Sequence, residues 1–160
     1  MAATFEWSES NTVGEVVHDN ISNLNMGSND SYEIVPATYP IVGGENAFEK
    51  YVRGKFTGTF TEITNMKFWK SGGTYKTAEV IKAEENVAYI QPTTSASTVA
   101  TTNIPVDSSN ALVIEESGGT TGTMTATGYT KYICVQLQTG GTTPAGDLNQ
   151  KEFTFQYDEV

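Results

Sequence analysis

Apolar and polar residues alternate along much of this chain, the period of an extended strand with one face turned to a core. Phe5 and Trp7 share a face in the opening segment, flanked by Thr4, Glu6 and Ser8. Between 48 and 60, Phe48, Val52, Phe56 and Phe60 hold one parity, and Glu49, Arg53, Lys55 and Thr57 hold the other. Gly54 and Gly58 fall on the apolar parity, which predicts a bend, a bulge or a close backbone approach there. Met66 and Phe68 face one way in a strand over 66–70. Further on, Ile133, Val135 and Leu137 alternate with Tyr132, Cys134 and Gln136, and Phe153, Phe155 and Tyr157 with Thr154, Gln156 and Asp158. Ser71-Gly72-Gly73, Gly118-Gly119 and Gly140-Gly141 mark turns between such runs.

Helical spacing is almost absent. Residues 77–86 contain good helix formers, but no capping residue begins them and a hairpin-like turn precedes them. A strand over 75–82 is therefore the first reading, with a helix as the alternative. Residues 91–110, rich in Ser, Thr and Pro, predict a long polar connection with a short strand at 99–104. Residues 9–47 read as loop-rich, with short strands near 16–17, 21–24 and 32–35. Strands about 8–15 residues apart with glycine turns predict an all-β fold. The expectation is one antiparallel β-sandwich over residues 1–160, jelly-roll-like, with long polar loops. No repeat or linker divides the chain.

Composition narrows the partners. Nine Lys+Arg against nineteen Asp+Glu leave a net charge of −10, which repels phosphate backbones and anionic lipid. Nucleic acid and membrane surfaces are therefore not expected partners. The single cysteine, Cys134, forms no internal disulfide and no multi-thiolate zinc site. Inside the apolar run 132–137 it reads as a small buried hydrophobe, suited to a reducing cytoplasm. No basic-then-apolar leader is visible at the start, and no run approaches the ~20 apolar residues of a membrane span.

Candidate chemistry is sparse. No metalloprotease, nucleophile-elbow, phosphate-loop or dinucleotide fingerprint occurs. His18, in Val17-His18-Asp19, reads as a loop histidine without a marked nucleophile. Glu84-Glu85, Glu115-Glu116 and Asp158-Glu159 are neighbours, and neighbours on a strand point to opposite faces, so no such pair straddles a sugar. Asn25 to Asp30 and Asp107 to Asn110 supply oxygen-bearing loops without calcium-loop spacing, and these residues are ordinary turn formers. The expectation is a non-enzymatic protein with no catalytic residue, cofactor or metal. Phe68-Trp69 and Tyr129/Tyr132 allow stacking on sugar rings, against the alternative of packing in a core.

Five stretches carry a resemblance. Pro36-Ala37-Thr38-Tyr39-Pro40-Ile41, Phe48-Glu49-Lys50-Tyr51-Val52-Arg53 and Asn65-Met66-Lys67-Phe68-Trp69-Lys70-Ser71-Gly72 resemble small structural proteins of tailed bacteriophages. The runs Tyr132 to Gln138 and Asn149 to Glu159, with its FTFQYDE ending, extend the resemblance over nearly everything from residue 20 onward. It implies a virion component made in the host bacterial cytoplasm, and most directly a capsid cement or decoration protein. The implied partners are the major capsid protein or other virion proteins; a homo-oligomer is expected besides, a trimer being a guess that no residue specifies. A tail, neck or baseplate component and a carbohydrate-binding module are the alternatives. Residues 1–20 are expected to form an N-terminal arm or edge strand, with Phe5 and Trp7 at the interface.

Overall fold

The computed structural model describes residues 2–119 and 122–160, and among them every regular element is a strand. Sheet A runs in the order β2 (Val16–Asp19), β1 (Ala3–Asn11), β3 (Lys50–Gly58), β8 (Tyr132–Thr139), β5 (Glu79–Asn86), with β7 (Gly128–Tyr129) also on β3. Sheet B is β6 (Leu112–Val113), β4 (Ile63–Gly72), β9 (Glu152–Glu159). All pairings are antiparallel. The all-β sandwich is as expected. Six strands in one sheet and three in the other do not establish the eight-strand jelly-roll pattern.

Register assigns the faces, because directly opposed residues share a side. Phe5 opposes Phe56 and Trp7 opposes Gly54, while Val52 opposes Ile133 and Ile81 opposes Leu137. That face meets Phe68, Phe153, Phe155 and Tyr157 of sheet B. The aromatic rings interlock across the gap: Phe5 stacks on Phe155 at 5.0 Å, Phe56 meets Tyr157 edge-on at 4.8 Å, and Trp7 meets Phe68 at 5.8 Å. Such contacts add about 0.5–1.5 kcal/mol each beyond area burial.

Gly54 shows why glycine stands in an apolar row. A Cβ there would lie 2.7 Å from Cε2 of Phe5, so the gap above Gly54 is where that ring sits. Opposite the same residue the pairing of β3 breaks between β7 and β8, and Thr130 fills the break. Its hydroxyl accepts from Gly54 N–H at 3.0 Å, and its N–H donates to Gly54 O at 2.9 Å. Gly58 ends β3 at φ 88°, a bend that favours glycine.

Strand β8 is buried on both sides. Its second face, Tyr132 and Cys134, joins Tyr51 and Ala100 in a small outer cluster flanked by Tyr89 and Val99. The long connection 87–111 therefore covers the outside of sheet A, and its residues 102–104 then line the free edge of β5. Ala83 N–H donates to Thr102 O and Ile104 N–H to Ile81 O.

Several expectations change in detail. A strand forms in place of the alternative helix, but over Glu79–Asn86 and not 75–82, because residues 77–78 are the turn that precedes it. The short strands expected at 21–24, 32–35 and 99–104 are not strands; the last contributes only a bridge between Asn103 and Lys82. Ile21 N–H donates to Trp7 O and Tyr32 stacks on His18, so these segments touch the sandwich without ladder pairing. His18 lies in β2 and not in a loop, half-buried, its ring stacked on Tyr32 at 4.2 Å.

Candidate functional site: a clamped hairpin and an inter-sheet cavity

Strands β1 and β2 are joined by residues 12–15, a turn in which Thr12, Gly14 and Glu15 all have positive φ, of 63°, 80° and 57°. Positive φ is costly for a β-branched residue such as Thr12, and it persists only where the surroundings hold it. Here they do. Asp30 is 8 % exposed and accepts from Thr12 N–H at 2.8 Å, Tyr89 O–H at 2.7 Å and Asn11 Nδ2 at 3.3 Å. Tyr89 O–H also reaches Thr12 O at 3.3 Å. Burial, then the hydrogen bond to Asp30, pushes the Tyr89 phenol far above its ordinary range, so it stays a donor.

Glu15 is held from the other side. Tyr132 O–H and Ser10 O–H donate to its carboxylate, and Arg53 stands 3.6 Å away. Burial and that bond push the Tyr132 phenol up to about 12. Arg53 lies between the Tyr129 and Tyr132 rings, 4.0 and 4.5 Å from their centroids, an arrangement that fixes a planar guanidinium. This rigid turn presents Val13, which is 80 % exposed, next to Val16 and Val17 on β2, also exposed. Among the described residues strand β2 pairs only with β1, which leaves a short open sheet edge beside these valines.

Phe5 and Trp7, the expected interface residues, lie on β1 with side chains turned into the sandwich, both half-buried. Eight consecutive residues of β1 pair with β3, so the segment is an integral strand of the sheet. Removing residues 1–12 would strip that strand and expose its aromatic cluster, so point changes at the surface are the sharper test of docking. Met1, the first residue of the expected arm, lies outside the described residues.

The remaining candidate groups serve the fold. Glu84 accepts from the Thr101 and Thr102 hydroxyls, which hold its carboxyl below the usual range, and Glu85 pairs with Lys131. Asp107 accepts from Ser109 and Asn110 in a turn and is likewise lowered by those bonds. Asp158 accepts from Asn65 Nδ2, and Glu159 from Ala3 N–H. Among the described residues no group of three or more His, Cys, Asp or Glu is placed to hold a metal. Trp69 points out of sheet B opposite Thr154, half-buried, while Phe68 is in the core.

Cys134 is fully buried, and burial, followed by the nearby Glu49 carboxylate, pushes its thiol far up. The native protein at pH 8 is therefore expected to leave Cys134 unmodified by an aromatic disulfide reagent, with one thiol released once denaturant is added. Rapid labelling without denaturant would mean that the 87–111 cover opens readily.

The second feature is a cavity of about 1080 Å3 between the sheets, at the end where β5 and β9 begin and β8 finishes. Val52, Ile81 and Leu137 of sheet A and Phe68 and Phe153 of sheet B line its interior. Segments 21–43 and 143–150 form its walls, with Ile41 among them. Glu79 also faces it; Lys76 N–H donates to Glu79 Oε2 at 2.6 Å, and Lys151 Nζ stands 2.7 Å from Oε1. The Glu79 side chain is fully buried, and the Lys151 ammonium meets its charge.

The sequence reading missed Val13 and Glu79, and it weighed Asp30 only as a turn residue or calcium ligand. A valine inside the turn Thr12-Val13-Gly14-Glu15 was the one available signal, since polar residues normally fill such a position. Nothing local marks Glu79 or the clamping role of Asp30. No protein-family model, curated protein or solved structure matches the chain.

Proposed function

We propose that this chain is a non-enzymatic structural protein of a tailed-bacteriophage virion, a cement or decoration protein on the outside of the capsid shell. Its docking element is the β1–β2 hairpin. The observation that carries this reading is the exposure of Val13 on a turn fixed in a strained conformation by Asp30, Tyr89 and Glu15. An apolar tip held rigid loses little entropy on docking, and the open β2 edge beside it offers backbone groups to a neighbouring strand. The net charge of −10 favours approach to basic patches on a shell and keeps free copies apart before assembly. Many weak contacts repeated over a symmetric shell bind together with an avidity that one contact lacks. Phe5 and Trp7 contribute by stiffening β1, from which the hairpin projects. The proposed partners are the major capsid protein and further copies of this chain, with a trimer the simplest arrangement around a threefold axis.

The test is immunogold microscopy of purified particles, paired with a particle-binding assay of Val13→Lys/Val16→Lys. Label over the head, and at least about tenfold weaker binding by the variant at an unchanged melting midpoint, are the expected results. Label confined to the tail or neck would overturn the capsid location. Wild-type binding by the variant would overturn the hairpin as the contact.

A further inference from the structure

We propose that Lys50 and Asn11 are the site of a self-formed intramolecular amide bond, with Glu9 carrying the protons between them. Glu9 and Asn11 share a face of β1, and the β1–β3 register, read one step past the Ser10–Tyr51 pair, sets Asn11 opposite Lys50. Side chains so opposed start only about 4.5–5.5 Å apart at Cβ. The Lys50 ammonium stands 3.1 Å from Glu9 Oε1, and Asn11 Nδ2 donates to that same oxygen at 2.8 Å. One carboxylate oxygen thus bridges an amine and a carboxamide. All three residues are buried, Lys50 and Asn11 at 0 % exposure and Glu9 at 2 %. Asn11 Oδ1 is also buried and takes no hydrogen bond. A purely structural ion pair leaves that orphan acceptor unexplained, whereas an attack on the Asn11 carbonyl uses it.

The reaction begins when the Lys50 ammonium passes a proton to Glu9, which turns two buried charges into a neutral amine and a neutral acid. The amine lone pair then attacks Asn11 Cγ, and negative charge develops on Oδ1, within reach of the Glu9 acid as its only donor. Glu9 next gives its proton to Nδ2 and takes one from Nζ. The Cγ–Nδ2 bond breaks, ammonia leaves, and Glu9 ends as the acid. Asp30 Oδ1, 3.3 Å from Nδ2, helps to orient the departing nitrogen. No oxidant or co-reactant is needed, and burial keeps out the water that would compete with the amine. The ion pair in the structure is the state before this reaction. The bond closes a loop from residue 11 to residue 50 that contains the β1–β2 hairpin, and it restricts the unfolded chain as a disulfide does. Loss of either Glu9 or Lys50 also prevents the link, so its effect on stability adds to that of the broken pair in the same direction. This inference is independent of the virion reading.

The experiment is mass spectrometry of the full chain, kept folded overnight at neutral pH and then denatured. The expected mass is one ammonia, about 17 Da, below that of the unmodified chain. Digestion with a glutamyl endopeptidase should then yield residues 10–15 and 50–62 as one joined species, cut after Glu9, Glu15, Glu49 and Glu62. Lys50→Arg should keep the unmodified mass, and Glu9→Gln should lower the linked fraction at least about tenfold, since the amine and amide remain but the proton carrier is gone. A wild-type chain at its unmodified mass would overturn the proposal, as would loss of water in place of ammonia. Ammonia loss with peptides 10–15 and 50–62 separate would place the change at an asparagine alone and overturn it too. So would an undiminished link in Glu9→Gln or ammonia loss in Lys50→Arg.

Discussion

Lys50→Met should lower stability by about 3–5 kcal/mol, a fall of roughly 6–20 °C in the thermal midpoint for a domain of this size. Lys50 sits on the core face of β3, its side chain 0 % exposed, and its ammonium stands 3.1 Å from Glu9 Oε1, itself 2 % exposed. The same ammonium donates to Ser31 O at 2.7 Å, and Asn11 Nδ2 donates to Glu9 Oε1 at 2.8 Å. Removing the cation leaves a carboxylate buried with one neutral donor, and removing the carboxylate strands an ammonium against one carbonyl. Either single change carries the cost of an uncompensated buried charge, which exceeds the net worth of the pair. The double variant Glu9→Gln/Lys50→Met should therefore be markedly more stable than the sum of the single losses predicts. Chemical denaturation of the four proteins checks this. Additive losses would show that the two charges do not act as a pair.

Glu49→Ala is the second large effect, a loss of about 2–4 kcal/mol. Glu49, 1 % exposed, receives three consecutive backbone N–H groups, from Thr98 at 2.8 Å, Val99 at 2.7 Å and Ala100 at 2.9 Å, and the Thr98 hydroxyl besides. This carboxylate pins the 87–111 connection against the outer face of sheet A. With it gone, the Ala100 N–H is left buried without an acceptor, and the cover over Tyr51 and Cys134 loosens. Hydrogen exchange should accelerate at amides 98–100 and at Cys134, while amides of the β4–β9 pair stay protected. Unchanged protection at 98–100 would mean that packing of Val99 and Ala100 holds the loop without the carboxylate.

The two predictions concern residues whose importance is hidden in the sequence. Glu49 and Lys50 stand in an ordinary alternating run, where Glu49 reads as an outward polar position and Lys50 as an interruption of the apolar face. The parity was right, since Lys50 does lie on the face of Val52 and Phe56. Its partner Glu9 lies 41 positions earlier, and only the pairing of β1 with β3 brings them together. The same holds for Asp30, which reads as one of several turn residues until the hairpin is folded beside it. Cys134 was legible, because a thiol inside an apolar run has little else to do than fill space.

What the sequence by itself determined is the set of local choices. Alternation placed β1, β3, β4, β8 and β9 and their inward faces, because period two is a property of the extended backbone and needs no partner. Glycine at 54 marked a special position but left bend, bulge and close backbone approach open; the tertiary structure put the Phe5 ring there. Strand order, the unequal division into two sheets, the second buried face of β8, the clamp on the 12–15 turn and the cavity at Glu79 were decided by tertiary structure. Each depends on which segments meet across long separations, and those meetings are set by summed burial and hydrogen-bond satisfaction over the whole chain.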